Sequence, residues 1–301
     1  MKLGLGTVQF GLKYGVSNQG GRTLPEEVSR ILAFAASVGI EVLDTAPAYG
    51  ESEEVLGELA SPVFHFRIVT KTRSSGHQQG RFDPGEITAA FTDSLKRLKA
   101  SRIYGLLVHT PKSLSGENGR RIFEELQALK AKGLVSKIGV SVYDSADIDG
   151  ILSLQQLDSE LQLDIVQVPI NVFDQRLLKS GHLRELRERN IEIHARSVFL
   201  QGLLLMTPES LPSHLSSVRP HLEMYLRHID ALGMSPVGAA IRFAIEQPEI
   251  DIVLCGVNNL AQLEDIHQEV SCFCPKSAID WSQFSFSQET ILNPSLWASS
   301  R

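Results

Sequence analysis

Short runs rich in Val, Ile and Leu alternate along the chain with longer stretches whose apolar positions recur at helical spacing. The short runs fall at 3–8, 41–45, 67–72, 103–109, 137–142, 165–170, 192–198 and 250–257. Their β-branched content predicts buried parallel strands. Between them, residues 26–38 place Val28, Ile31, Leu32 and Ala35 on one face, and residues 86–98 do the same with Ile87, Phe91, Leu95 and Leu98. Residues 121–132, 182–189 and 260–270 have the same period, which predicts amphipathic helices. Pro25, Pro84 and Pro236 stand where helices begin, a position at which a missing N–H costs little. Eight strand-then-helix units predict an α/β chain folded as a single (β/α)8 TIM barrel. The rival, an open doubly wound sheet, usually has a G-x-G-x-x-G turn after its first strand. Here the turn reads Gly4-Leu5-Gly6-Thr7-Val8-Gln9, and the third glycine is missing. No linker or low-complexity tract divides the chain, so residues 1–301 are expected to form one barrel domain. The aromatic-dotted stretch 271–301 (Phe273, Trp281, Phe284, Phe286, Trp297) is expected to pack on the barrel as a tail.

Composition narrows the partners. A net charge of −6, from 29 basic and 35 acidic residues, disfavours nucleic acid and anionic membranes, which need a basic face. The N-terminal Met1-Lys2-Leu3-Gly4 lacks the apolar core of a signal peptide, and no apolar run approaches the roughly 18 residues of a membrane span. Three cysteines, Cys255, Cys272 and Cys274, make no disulfide framework, so a reducing cytoplasmic setting is expected. Cys272-x-Cys274 has no second ligand pair after it, and no metal is expected.

Barrel chemistry collects where strands end. The second strand ends at Asp44 and runs through Pro47-Ala48 into Tyr49; the third ends at Lys71 and the fourth at His109. Three neighbouring strand ends thus offer an acid, a base and an imidazole, with a phenol in the next turn. This set suits carbonyl reduction, which needs a hydride on carbon and a proton on oxygen. A nearby ammonium favours the phenolate and is expected to lower the pKa of Tyr49. Asp44 would hold Lys71, and His109 could polarise the carbonyl oxygen. Singly, each has a plainer use: Asp44 and Lys71 as a barrel ion pair, His109 as a structural imidazole, Tyr49 as packing.

The sequence resembles the aldo-keto reductase superfamily. The likeness runs through Gly4-Leu5-Gly6-Thr7, then Asp44-Thr45-Ala46-Pro47-Ala48-Tyr49-Gly50 followed by Glu51-Ser52-Glu53-Glu54-Val55-Leu56-Gly57, then Lys71, His109, Ile138-Gly139-Val140-Ser141 and Gln167-Val168-Pro169-Ile170-Asn171. It implies a cytoplasmic NAD(P)H-dependent oxidoreductase acting on a small-molecule aldehyde or ketone, with Tyr49 as proton donor and Asp44, Lys71 and His109 completing the catalytic group. It also implies Ser141 and Gln167 on the nicotinamide carboxamide, Ser197 and Gly202 in a loop that contacts the pyrophosphate, and Gly6, Thr7, Arg196 and Phe199 as further cofactor-binding positions. Gly256, Asn258, Asn259, Gln262 and Asp265 would serve the adenosine. Departures are Val142 where many members carry Asn, Arg196 where many carry an aromatic, and Asn258 where NADP-preferring members often carry Arg or Lys. NADPH is therefore the first expectation, with NADH possible and the preference weak. Phe10 and Tyr14 are expected in the substrate wall, and a mixed polar mouth suits a sugar-like carbonyl. The alternative is a catalytically silent, cofactor-binding barrel acting as a regulatory subunit, against which the intact quartet argues.

Overall fold

Strands buried on both faces need apolar side chains at every position, and that requirement is visible in the computed structural model, which describes residues 2–60, 65–73, 84–114, 116–157, 161–272 and 279–297. The strands are β1 (Leu3–Gly6), β2 (Val42–Asp44), β3 (Arg67–Lys71), β4 (Ile103–Val108), β5 (Val135–Ser141), β6 (Ile165–Pro169), β7 (Glu192–Arg196) and β8 (Ile252–Gly256). They close into a barrel in sequence order, every neighbour parallel, with β8 pairing back to β1. The helices are α1 (Val8–Gly11), α2 (Pro25–Ser37), α3 (Ser52–Leu59), α4 (Pro84–Arg97), α5 (Gly116–Ala131), α6 (Ser145–Leu157), α7 (Arg176–Lys179), α8 (His182–Glu188), α9 (Arg219–Ala231), α10 (Pro236–Glu246), α11 (Leu260–Ser271) and α12 (Glu289–Leu292).

Two apolar clusters follow from the strand period of two. A small one, Val42, Val69, Leu107, Ile165 and Leu254, fills the lumen. The large one, with Leu43, Ile68, Leu106 and Val108, lies between strands and helices. Stepping two residues beyond a lumen residue reaches the next inward position. From Val42, Val69, Leu107, Ile165 and Leu254 that step arrives at Asp44, Lys71, His109, Gln167 and Gly256. The lumen parity therefore delivers the predicted polar residues to one end of the barrel.

Two segments differ from expectation. Ahead of the helix expected over 121–132 lies a 3-10 turn (Pro111–Leu114), and α5 already starts at Gly116; Gly116 and Gly119 mask the helical pattern there, since glycine is a poor helix former. Phe10, expected in a substrate wall, is fully buried in the large cluster. In the tail, Trp281, Phe284, Ile291 and Leu292 are buried, Gln175 Nε2 donates to the carbonyl of Trp281, and Trp281 Nε1 donates to Glu246. Phe273 and Cys274 lie outside the described residues.

Candidate active site

The turn after β2 is fixed from below by hydroxyls. Thr7 Oγ1 donates to the Asp44 carbonyl (2.9 Å) and lies 2.8 Å from Ser52 Oγ, while Thr45 Oγ1 donates to Ser52 at 3.0 Å. Close backbone approach fixes it from the side: a Cβ on Gly11 would stand 1.8 Å from the Tyr49 carbonyl oxygen, and Gly50 has φ +58° against Gly11. Only glycine combines that conformation with that proximity. The acidic motif after the turn is scaffolding. Glu53 is buried, accepting from Thr70 Oγ1 (2.6 Å) and Arg97 Nε (2.8 Å), and Gly57 lets α3 meet the Arg97 backbone.

On this support Lys71 Nζ sits 2.8 Å from both Asp44 carboxylate oxygens and 3.0 Å from the Thr45 carbonyl, with the pair almost fully buried. Gln167 Nε2 donates to Asp44 Oδ1 at 2.7 Å, and its Oε1 lies 3.4 Å from Ser141 Oγ. Lys71 Nζ is 4.9 Å from the Tyr49 ring centroid, and the Tyr49 and His109 rings meet edge-on at 6.2 Å. Burial and the Lys71 charge pull His109 down to about 4, so its imidazole is neutral at physiological pH. Burial, then the Asp44 charge, hold the Tyr49 phenol above its ordinary value. This corrects the expectation that Lys71 lowers it: Asp44 neutralises the ammonium, which burial itself pulls downward.

A cleft of about 510 Å³ opens over these groups. Asp44, Tyr49 and His109 line it, as do Gly6, Thr7, Ser141, Gln167, Arg196, Ser197, Phe199, Gly202, Gly256, Asn258, Gln262, Asp265 and Tyr14. Lys71 lies beneath it, holding Asp44. Thr7 borders the cleft, but its hydroxyl is spent on Asp44 and Ser52. Asn259 is not among the lining residues: it caps α11, accepting from Gln262 N–H at 3.0 Å. Phe10 does not reach the cleft either. The β7 loop has left-handed backbone at Ser197, Leu200 and Gln201 (φ +60°, +48°, +54°), a costly shape held at the cleft wall.

Sequence reasoning missed Gln9 and Tyr143. Both line the cleft, and Tyr143 carries the Arg196 guanidinium 4.6 Å from its ring centroid. Arg196 also donates to the Val142 carbonyl at 2.9 Å, and no carboxylate pairs with it among the described residues. The inward parity of β5, two residues beyond Ser141, was the available signal for Tyr143.

The aldo/keto reductase family model matches residues 2–284. The chain belongs to the aldo/keto reductase family. This aldo-keto reductase is an NAD(P)H-dependent oxidoreductase. It is 28% identical over 294 residues to the aldo-keto reductase YhdN of Bacillus subtilis, covering 89% of this chain and 84% of that one. It is 24% identical over 250 residues to D-arabinose 1-dehydrogenase of Saccharomyces cerevisiae, covering 78% and 73%. Among solved structures, a Pseudomonas aeruginosa protein assigned to the aldo-keto reductases superposes with a TM-score of 0.63 at 25% identity, covering 89% and 88%. The holo form of a Bacillus halodurans aldo-keto reductase does so at 0.72 and 19%, covering 94% and 90%, a likeness of fold.

The cleft fits a nicotinamide dinucleotide. Two buried acceptors in its wall, Gln9 Oε1 and Asn258 Oδ1, have no partner among the described residues, so a ligand with hydroxyl or amine donors would satisfy them. Gly256 keeps the floor low beside Gln9, where a Cβ would stand 2.6 Å from Nε2. Among the described residues no helix is long and apolar enough to cross a membrane.

Proposed function

We propose that the enzyme reduces an aldehyde or ketone, with Tyr49 as proton donor; the observation that carries the reading is the buried Lys71–Asp44 pair set under Tyr49 and beside His109 at the closed end of the cleft. A bound reduced nicotinamide, NADPH or NADH, supplies the hydride. Tyr49 Oη gives its proton to the carbonyl oxygen. A phenol held above its ordinary pKa releases that proton only as negative charge builds on the oxygen, and so protonates the product and not the solvent. Neutral His109 offers an N–H to the same oxygen and adds no positive charge to the cleft. Asp44 fixes the ammonium against the Tyr49 ring, and Gln167 fixes Asp44. Ser141 and Gln167 are proposed to face the nicotinamide, with Ser197, Phe199 and Gly202 along the phosphates.

The substrate is proposed to be a polar, sugar-like carbonyl. The rim carries Tyr14, Tyr143, Ser17 and Ser295, hydroxyls suited to a polyol, and one relative is named for D-arabinose. Tyr49→Phe tests the assignment. Turnover of a responsive aldehyde should fall by about 10²–10⁴-fold while NADH and NADPH quench protein fluorescence as before. Retained turnover refutes Tyr49 as the donor.

A further inference from the structure

We propose that this enzyme selects NADH over NADPH, because the cleft end that receives the adenosine ribose offers acceptors and carboxylates where a 2′-phosphate would need donors and cations. The inference rests on Tyr49 and His109 marking the reactive end. With the nicotinamide there, the adenosine lies toward the turn from β8 into α11, where Asn258, Gln262 and Asp265 form the wall.

The start of α11 is a ready-made anion site in principle, but this chain has already used it. Leu260 N–H donates to Glu27 Oε1 at 2.6 Å, a carboxylate brought from α2. Gln262 N–H donates to Asn259 Oδ1, and Asn258 N–H donates to Gln262 Oε1 at 2.8 Å. Three backbone donors of this turn are therefore engaged, one of them by an anion.

The charges point the same way. Helix α11 contains Glu264, Asp265 and Glu269 and no Lys or Arg. Arg30, on the neighbouring α2, is paired with Glu27 Oε2 at 2.7 Å. Arg196, the cation among the cleft's described lining residues, leans the other way onto Tyr143. A 2′-phosphate, with nearly two negative charges, would be set beside Asp265 and Glu27 with no free cation of α11 to meet it.

The orphaned acceptor makes the chemistry selective. Gln262 Oε1 is fixed as an acceptor by the Asn258 backbone, so Asn258 turns Nδ2 toward it (3.4 Å) and leaves Oδ1 buried and unpartnered. That oxygen needs a donor. The adenosine 2′-hydroxyl of NADH supplies one, whereas the ionised phosphate that replaces its proton in NADPH is acceptor-only. Asp265 can likewise accept from a 2′-hydroxyl, the use acidic residues have in other NAD sites.

Fluorescence titration of the purified enzyme with NADH and NADPH tests this without turnover. NADH should bind at least about tenfold more tightly. In the double variant Glu27→Gln/Asp265→Asn, which removes two charges and frees Arg30, the ratio of the two dissociation constants should move at least about fivefold toward NADPH. NADPH binding as tightly as NADH to the unaltered enzyme, or a ratio unmoved in the double variant, overturns the selection while leaving the reductase reading intact. Failure of both dinucleotides to bind overturns that reading along with it.

Discussion

Replacing Lys71 by Met separates what the buried pair does for the fold from what it does for chemistry. The side chains of Lys71 and Asp44 are 1% and 7% exposed. Met keeps most of the volume but removes three hydrogen bonds and strands a carboxylate whose remaining partner among the described residues is Gln167 Nε2. Removing one member of a buried pair costs about 3–5 kcal/mol. Asp44→Asn should cost less, because burial already pulls the Lys71 pKa down and the stranded ammonium can shed its proton. Asp44→Asn/Lys71→Met leaves no buried charge, and should sit within about 1–2 kcal/mol of the unaltered protein. Urea unfolding followed by fluorescence of Trp281, which is buried, reads all three. Turnover per folded molecule should stay strongly reduced in every variant, the recovered double included. Strictly additive stability losses would refute the coupling, and a double variant regaining both stability and turnover would refute any chemical contribution of the pair.

His109 titrates near 4 in the fold against 6.5 as its reference value, so between these the unfolded chain binds the extra proton and stability is lost as pH falls through that window. The stability difference between the unaltered protein and His109→Gln should accordingly become less favourable to His109 from about pH 7 to about pH 4; a pH-independent difference would show that the imidazole is not held neutral. Gly11→Ala drives a methyl into the Tyr49 carbonyl, and turnover should fall at least about tenfold with cofactor affinity less affected; unchanged turnover would mean that the turn carrying Tyr49 yields freely. Dialysis against a chelator should leave carbonyl reduction unchanged, and loss of activity restored by a divalent ion would contradict proton donation by Tyr49 as the means of polarising the carbonyl.

The strands were legible because a barrel wall buried on both faces demands apolar, β-branched residues throughout, and the polar exceptions Asp44, Lys71 and His109 then stand out at the strand ends. What stayed hidden depends on side-chain direction within turns. Phe10 and Tyr14 are neighbours in the chain, and nothing local distinguishes Phe10, drawn into the core as part of α1, from Tyr14, which stays exposed at the cleft wall. Asn259 was ambiguous because an asparagine before a helix serves equally well as a cap, the use it has on α11, or a ligand contact. The Glu27 carboxylate on Leu260 N–H joins positions 233 residues apart, beyond any periodicity. The depressed His109 and raised Tyr49 values are likewise products of burial that the assembled lumen creates.

Closure of the sheet by β1 against β8 sets a timetable for synthesis. Leu3 through Gly6 pair with Val253 through Gly256, and Val253 N–H donates to the Lys2 carbonyl. At about 5–20 residues per second, roughly 12–50 s pass between translation of the first strand and of its last neighbour. For that interval a nascent barrel has two open sheet edges, the kind of surface that recruits other chains. Asp44 and Lys71 are translated early, yet Gln167 on β6 and the wall from β8 arrive only later, so the pair waits in a wet, half-built lumen until the ring shuts. A cell making this protein faster than its chaperones can shield those edges should lose it to aggregation on the ribosome's timescale, before thermodynamic stability has any say.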